Sequence, residues 1–165
     1  HVDTYDDVKN YVNLSGVRST GLTASASLGK YVAQVLIEMG MPAQFNPDFN
    51  PIRTGIRRFP DLTREEQDRL VQENPLYGRV ICRCETVTEG EIVEAIHRPI
   101  PARSMDAIKR RLRAGTGRCQ GGFCGPRVLE LISRELGIDP LDILQDKNGS
   151  NVLLSETKVG GKSNG

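Results

Sequence analysis

The sequence predicts a mainly α-helical protein with little β-structure, in which one segment carries a site of four cysteines. Three observations support this prediction. Apolar residues recur at helical spacing in several segments, and Ser or Thr precedes three of these segments at the position of a helix cap. All four cysteines of the 165-residue chain lie between residues 82 and 124. They occur as a C-x-C pair, then 34 residues, then a C-x₄-C pair.

The composition is that of a chain that folds around a small core. Hydrophobic residues make up 38% and aromatic residues 5%, and there is no Trp. No apolar run approaches the length of a membrane span. The first residues, HVDTYDD, are polar and acidic and do not resemble a signal peptide. Because an initiator Met is absent, we expect the chain to begin partway through a longer, cytoplasmic gene product.

Shifts in composition divide the chain into four parts. The first is a helical region, the second is rich in proline, the third contains the cysteines, and the last is a polar, glycine-containing tail that we expect to be flexible. In chain order these parts are residues 1–40, 41–76, 77–146 and 147–165. The proline-rich part should be an extended linker that packs on a surface, because a free linker would contain fewer apolar residues. Those residues are Phe45, Phe49, Ile52, Ile56 and Phe59.

Capping signals place the helices of the second half. Thr63 with Glu66 and Thr88 with Glu91 have the spacing of capping boxes, and Ser104 is placed to cap a third helix. The helix after Thr88 should bury Ile92, Val93 and Ile96. The helix after Ser104 should end at Gly115. Pro126 should lie in the first turn of a further helix, which ends at Gly137.

The cysteines lie on the segments that flank these helices. The sequence GRVICRCE predicts a short strand with Val80 and Cys82 on one side. The sequence GTGRCQGGFCG predicts a glycine-rich loop that wraps closely and directs backbone N–H groups at sulfur. Because Cys124 directly precedes a helix, we expect the helix N-terminus to lower the pKa of its thiol.

Four thiols leave several interpretations open. A four-cysteine [2Fe-2S] cluster is favoured over zinc, since zinc ligands are usually spaced C-x₂₋₄-C and the C-x-C pair is too tight. Two disulfides and a basic helix-turn-helix that binds nucleic acid are weaker alternatives. Eight Lys or Arg and one acid lie between residues 98 and 127, which suits an anionic cluster but is also ordinary for a solvated helix face. His97 is expected to be a surface residue rather than a ligand.

A second candidate site precedes the first helix. The glycine loop GVRSTGLT, from Gly16 to Thr23, leads into a helix whose apolar positions begin at Leu28. Unpaired N–H groups at a helix N-terminus can receive an anion or a polarised carbonyl. A glycine turn packed on a neighbouring segment is the competing interpretation.

The sequence GVRSTGLTASASLGKYV resembles the last flavin-contacting segment of FAD-dependent oxidoreductases of the D-amino-acid-oxidase type. The resemblance implies that a loop faces the flavin, although many members have Pro where Thr20 stands. It places six residues in that loop: Gly16, Ser19, Thr20, Gly21, Leu22 and Thr23. The G-x-G-x-x-G fingerprint that binds a dinucleotide is absent from the chain. We therefore expect a C-terminal fragment of a flavoenzyme that does not hold FAD alone.

Residues 77–137 resemble the bacterioferritin-associated-ferredoxin (BFD) type of [2Fe-2S] domain, in the version fused to the C-terminus of anaerobic glycerol-3-phosphate dehydrogenases. The resemblance implies that Cys82, Cys84, Cys119 and Cys124 hold the cluster. It further implies that FAD in the parent enzyme oxidises sn-glycerol 3-phosphate, and that electrons leave through the cluster to a partner subunit or quinone pool, at the inner face of the membrane. We expect no catalytic residue in the chain. A 2-hydroxy acid substrate and a structural docking module without redox role remain alternatives.

Overall fold

The computed structural model describes residues 1–156, which form two compact units, residues 1–53 and residue 54 onward. As predicted, helices predominate, and the described residues contain only two two-stranded sheets. The strands are β1 (Val2–Thr4), β2 (Val12–Leu14), β3 (Val80–Cys82) and β4 (Val87–Thr88), and the helices are α1 (Gly21–Glu38), α2 (Arg64–Glu73), α3 (Glu89–Ile96), α4 (Met105–Leu112) and α5 (Gly125–Leu136).

The first unit consists of the β1–β2 hairpin and the 18-residue helix α1. The strands pair antiparallel, with Val2 opposite Leu14. Along α1, Leu28, Val32 and Leu36 recur on one face, as the sequence predicts, but no residue of this helix is buried within the described chain. The apolar face borders a groove of about 430 Å³.

The proline-rich segment that follows has no helix or strand before Phe59. Phe45, Phe49 and Ile52 are exposed within the described chain, and the packing of these side chains on a surface stays a prediction. Ile56, by contrast, packs against the core of the second unit. The packed part of the segment therefore starts close to Thr54, where the second unit begins.

The core of the second unit lies between α3, α4 and α5, and α3 packs on both other helices. Its fully buried side chains include Ile92, Ile96, Ile108, Ile132 and Ile143. In α3 the predicted buried face was partly wrong, because Ala95 is buried and Val93 is only half-buried. Short 3₁₀ helices at Phe59–Asp61, Pro75–Gly78 and Pro140–Asp142 connect the longer elements.

Both predicted capping boxes are present. Thr63 caps α2 with Glu66, and Thr88 caps α3 with Glu91. The second box is buried, and Glu91 also accepts a hydrogen bond from the backbone N–H of Phe59 at 3.2 Å. One glutamate side chain thus connects the start of α3 to the segment that precedes α2.

The ends of the last two helices differ in how well they were predicted. Helix α4 begins at the predicted Ser104 cap but ends at Arg113, whose φ of 69° is left-handed, and not at Gly115. Helix α5 ends at Gly137 in the left-handed conformation, as predicted.

A hairpin-like turn follows α5. Residue Val152 donates a backbone hydrogen bond to Ile143, and Leu144 pairs with Asn151. Backbone N–H groups at the start of α4, from Met105 and Asp106, bond to this hairpin. Residues 147–152, which we expected to belong to a flexible tail, take part in it. The rest of that predicted tail, from residue 157, lies outside the described residues. No helix among residues 1–156 is long and apolar enough to cross a membrane.

Candidate metal centre

Four different local structures position the cysteines. Cys82 ends strand β3, Cys84 lies in the turn that leads to β4, Cys119 lies in the glycine loop, and Cys124 is the N-cap of α5. The pairing of β3 with β4 is irregular between Val80 and Cys82. Because of this irregularity the two side chains do not share one environment: Val80 is 37% exposed and Cys82 is 1% exposed. The prediction that they lie on the same side was wrong.

The thiols form two pairs, and each pair takes one cysteine from each segment. The Sγ atoms of Cys84 and Cys119 lie 3.8 Å apart on the surface. Cys82 and Cys124 form the other pair, which is buried, and the proximity of Cys82 is one of the causes that raise the pKa of the Cys124 thiol. All four are free thiols. The helices between the two cysteine segments therefore bring residues 35 positions apart into contact.

Glycine makes this approach possible at Gly117. A Cβ atom added there would lie 2.2 Å from the Cβ of Cys84, closer than any real contact. The loop also contains Gly121 at φ +84°, a backbone conformation that L side chains rarely adopt. The predicted role of glycine, close wrapping of the backbone around the thiols, is thus visible at the position where the two cysteine segments meet.

Backbone N–H groups of the loop point at Cys119, as predicted. Hydrogen bonds from the backbone of Phe123, and secondarily from Cys84 and the backbone of Gly121, lower the pKa of the Cys119 thiol. Such donors stabilise a thiolate and the anionic sulfur of a cluster.

The prediction for Cys124 was wrong. Burial, followed by the proximity of Cys82, raises the pKa of the Cys124 thiol to about 11. The helix N-terminus of α5 therefore does not determine the direction of this pKa shift. Removing a thiolate from water costs more free energy than the stabilisation of that thiolate by one helix N-terminus. A thiolate at this buried pair requires a positive charge beside it, and a metal ion supplies one.

The donor set suits two metal ions better than one. Among residues 1–156, no three or more side chains of His, Cys, Asp or Glu converge as a single ion would require. A structural zinc ion takes four ligands tetrahedrally, whereas each iron of a [2Fe-2S] cluster takes two. The separate buried and exposed thiol pairs therefore fit the two irons of such a cluster. His97 lies elsewhere, with its Nε2 2.6 Å from Glu135 Oε2.

One feature beside the thiols was not singled out from the sequence. The guanidinium of Arg83 lies over the ring of Phe123, 4.7 Å from its centroid. Both residues belong to the cysteine motifs, CRC and CQGGFC, and that position was the available signal. The contact joins the two motifs a second time.

The predicted flavin loop lies in the first unit. Gly16 has φ +71°, and Thr20 is the N-cap of α1 without a side-chain cap bond among the described residues. Gly21 donates to the carbonyl of Arg18 at 2.7 Å, and Leu22 is 91% exposed. The loop is thus an uncapped, accessible start of a long helix, and its role toward a flavin stays a prediction.

The part of the chain that contains the thiols is similar to a known protein family. Residues 80–134 match the family of BFD-like [2Fe-2S] binding domains. Over these residues the chain is similar to BFD-like [2Fe-2S] binding domains. The match runs from strand β3 into helix α5 and so includes all four cysteines. None of the solved structures matches the chain.

The curated relatives that the chain matches are longer proteins than this chain. The chain is 45% identical over 152 residues to a glycerol 3-phosphate dehydrogenase from Caloramator mitchellensis. This match covers 92% of this chain and 32% of that protein. It is 39% identical over 64 residues to an opine oxidase subunit from Rhizobium meliloti and 36% identical over 64 residues to an anaerobic glycerol-3-phosphate dehydrogenase subunit from Escherichia coli (strain K12). Each of these two matches covers 39% of this chain and 12% of the relative. The chain thus spans about a third of the length of the Caloramator protein.

Proposed function

We propose that this chain is the electron-transfer C-terminal region of a flavin-dependent dehydrogenase, in which Cys82, Cys84, Cys119 and Cys124 hold a [2Fe-2S] cluster. The observation that carries the proposal is the arrangement of the thiols in two pairs, within a region that matches a [2Fe-2S] family. The cluster, when bound, accepts and releases one electron at a time.

The chain's own residues perform three tasks in this proposal. The buried pair, Cys82 and Cys124, anchors the cluster in the core, and the exposed pair holds it at the surface. The N–H groups of Gly121 and Phe123 stabilise negative charge on sulfur. Gly117 leaves room for the two cysteine segments to meet.

The parent enzyme is proposed to oxidise sn-glycerol 3-phosphate to dihydroxyacetone phosphate with FAD. Support comes from the Caloramator protein, because the match covers both units of this chain and that protein is named a glycerol 3-phosphate dehydrogenase. The Escherichia coli relative is named as one component of a larger enzyme, and a partner protein that accepts electrons is proposed here too. A cytoplasmic location, at the membrane through that partner, belongs to the same proposal.

The first unit is proposed to close one side of the flavin site. The loop from Gly16 to Thr23 would present backbone N–H groups, and α1 would pack its apolar face on the remainder of the flavin fold. The support is that an 18-residue helix with an apolar face has no buried residue within the described chain. A helix of this kind normally buries that face against another element.

The cluster is tested on protein purified without oxygen. We expect two irons and two acid-labile sulfides per chain and an EPR signal after reduction by dithionite. Replacing any of the four cysteines by serine should remove the signal. One zinc per chain without labile sulfide would show a structural metal module and overturn the electron-transfer proposal.

The flavin loop is tested in the full-length parent. Gly16→Ala places a side chain at φ +71°, where it is strained, and should lower the FAD content. Gly55→Ala is the matched control, since its Cβ would meet no atom within 4 Å, its φ is not positive and it lies outside the first unit. Equal FAD contents in the two variants would contradict the loop assignment.

Comparing sn-glycerol 3-phosphate with L-2-hydroxyglutarate as substrate of the parent tests the reaction.

A further inference from the structure

The two thiol pairs differ in their access to solvent. Cys82 and Cys124 are buried, whereas Cys84 and Cys119 are exposed. Electron transfer between proteins weakens steeply with distance, so a partner exchanges electrons most readily on the side where a ligand reaches the surface. If the cluster is held as proposed above, that side is the one with Cys84 and Cys119.

Arginine and an aromatic ring border the exposed pair. Arg83 directly precedes Cys84, and Arg118 directly precedes Cys119. The Arg83 guanidinium stacks on Phe123, which is 48% exposed. Both arginines are exposed as well. The surface thus combines two cations with one accessible aromatic ring.

These cations are not neutralised by ion pairs. Within residues 1–156, neither Arg83 nor Arg118 forms a salt bridge, whereas five other arginines of the second unit do so with nearby carboxylates: Arg58, Arg79, Arg98, Arg110 and Arg134. The two segments that contain the exposed thiols, residues 82–85 and 117–124, have two arginines and one acid, Glu85. The positive charge next to the exposed thiols is therefore available to another molecule.

We propose that this surface, formed by Arg83, Cys84, Arg118, Cys119 and Phe123 and called here the arginine face, docks an electron-exchange protein that presents acidic side chains. The inference rests on the proposed function. Carboxylates of the partner would pair with the two guanidinium groups, and Phe123 would supply the apolar contact at the centre. Complementary charge of this kind accelerates encounter and orients the partner, and salt weakens it.

A different role for the arginines makes a different prediction. If they only offset the charge of the cluster, their removal changes the reduction potential and affects every electron acceptor alike. If they dock an acidic partner, their removal acts on anionic acceptors and on acidic polypeptides, and the effect disappears at high salt.

The experiment uses the iron-loaded chain and two probes of known charge. In stopped flow, the reduced chain gives one electron to ferricyanide, which becomes ferrocyanide, or to the cation tris(phenanthroline)cobalt(III), which becomes the cobalt(II) complex. No bond is made and no proton moves in either reaction. Isothermal titration calorimetry measures binding of poly-L-glutamate to the same chain, and an EPR-monitored titration gives the reduction potential.

Arg83→Gln and Arg118→Gln should each slow electron transfer to ferricyanide by about threefold at low ionic strength, and the double variant should slow it further. The cationic acceptor should react no more slowly with these variants. Poly-L-glutamate should bind the parent chain at low salt and bind the double variant more weakly. Arg64→Gln, at an exposed arginine on a helix without cysteine, is the control and should change none of these values.

Three results would overturn the inference. They are an equal salt dependence in all variants, an equal slowing for both acceptors together with a shifted potential, and no binding of poly-L-glutamate to the parent chain at low salt. Assembly of the cluster is measured first by iron and sulfide content. A chain that contains no cluster defeats the proposed function, whereas a loaded chain that shows any of the three results defeats only the arginine face.

Discussion

The sulfur atoms of Cys84 and Cys119 lie 3.8 Å apart, although 35 positions separate the two residues. The contact depends on the absence of a side chain at Gly117, where an added Cβ would lie 2.2 Å from the Cβ of Cys84. The geometry of the metal centre therefore depends on a residue that supplies no ligand.

Gly117→Ala should prevent normal assembly of the cluster. The new methyl group would push the segment of Cys84 away from that of Cys119, and we expect the iron and sulfide content per chain to fall by more than half. Gly125→Ala is the control, because its Cβ would meet no atom within 4 Å and its φ is not positive. Similar iron contents in both variants would show that the loop adapts to the methyl group.

The iron-free chain should react with iodoacetamide in a defined order. Hydrogen bonds from the loop lower the pKa of Cys119, and burial raises the pKa of Cys124 to about 11. The thiolate is the reactive form, so at pH 8 about one Cys124 thiol in a thousand is reactive. Mass spectrometry should find Cys119 alkylated first and Cys124 far more slowly, and the rate at Cys124 should rise tenfold per pH unit up to about pH 11. Early alkylation of Cys124 at pH 8 would contradict this.

Thr88→Ala should destabilise the second unit by about 1–2 kcal/mol, at the upper end of the range for helix caps. The substitution removes the cap of α3 and also one hydrogen-bond donor to the buried carboxylate of Glu91, which receives the Thr88 hydroxyl at 2.8 Å. Urea denaturation measures the free energy of unfolding. Thr63→Ala removes the equivalent cap of α2 at an exposed position and should cost less. An equal loss in both variants would show that burial of the box adds nothing.

Stability should decrease in acid partly through Glu135. A hydrogen bond from His97 has the largest effect and lowers the pKa of Glu135, desolvation raises this pKa, and Arg134 lowers it again. The net effect is a pKa below 4.5 in the folded state. A carboxyl with a lowered folded-state pKa contributes stability above its unfolded pKa, and the contribution is lost as the pH falls through the folded value. Glu135→Gln should therefore reduce stability at pH 6 and flatten its loss between about pH 4.5 and 2. Glu130→Gln, at an exposed position of the same helix, should leave that slope unchanged.

Local structure was largely predictable. The boxes at Thr63 and Thr88, the cap at Ser104 and the end of α5 at Gly137 all follow from contacts within four residues, which the sequence alone contains. Predictions failed where distant segments decide the outcome. The irregular pairing of β3 with β4 exposes Val80, and Ala95 rather than Val93 completes the buried face of α3.

Residue identity and spacing by themselves determined that the chain has four thiols in two short segments, glycine around the second of them, and a helix after each. Only the tertiary structure decided how the thiols pair, which pair reaches the surface, and that the pKa of Cys124 rises instead of falling. The physical reason is range. Caps and helix starts depend on hydrogen bonds between near neighbours, whereas desolvation and the contact of Cys84 with Cys119 depend on how α3, α4 and α5 pack.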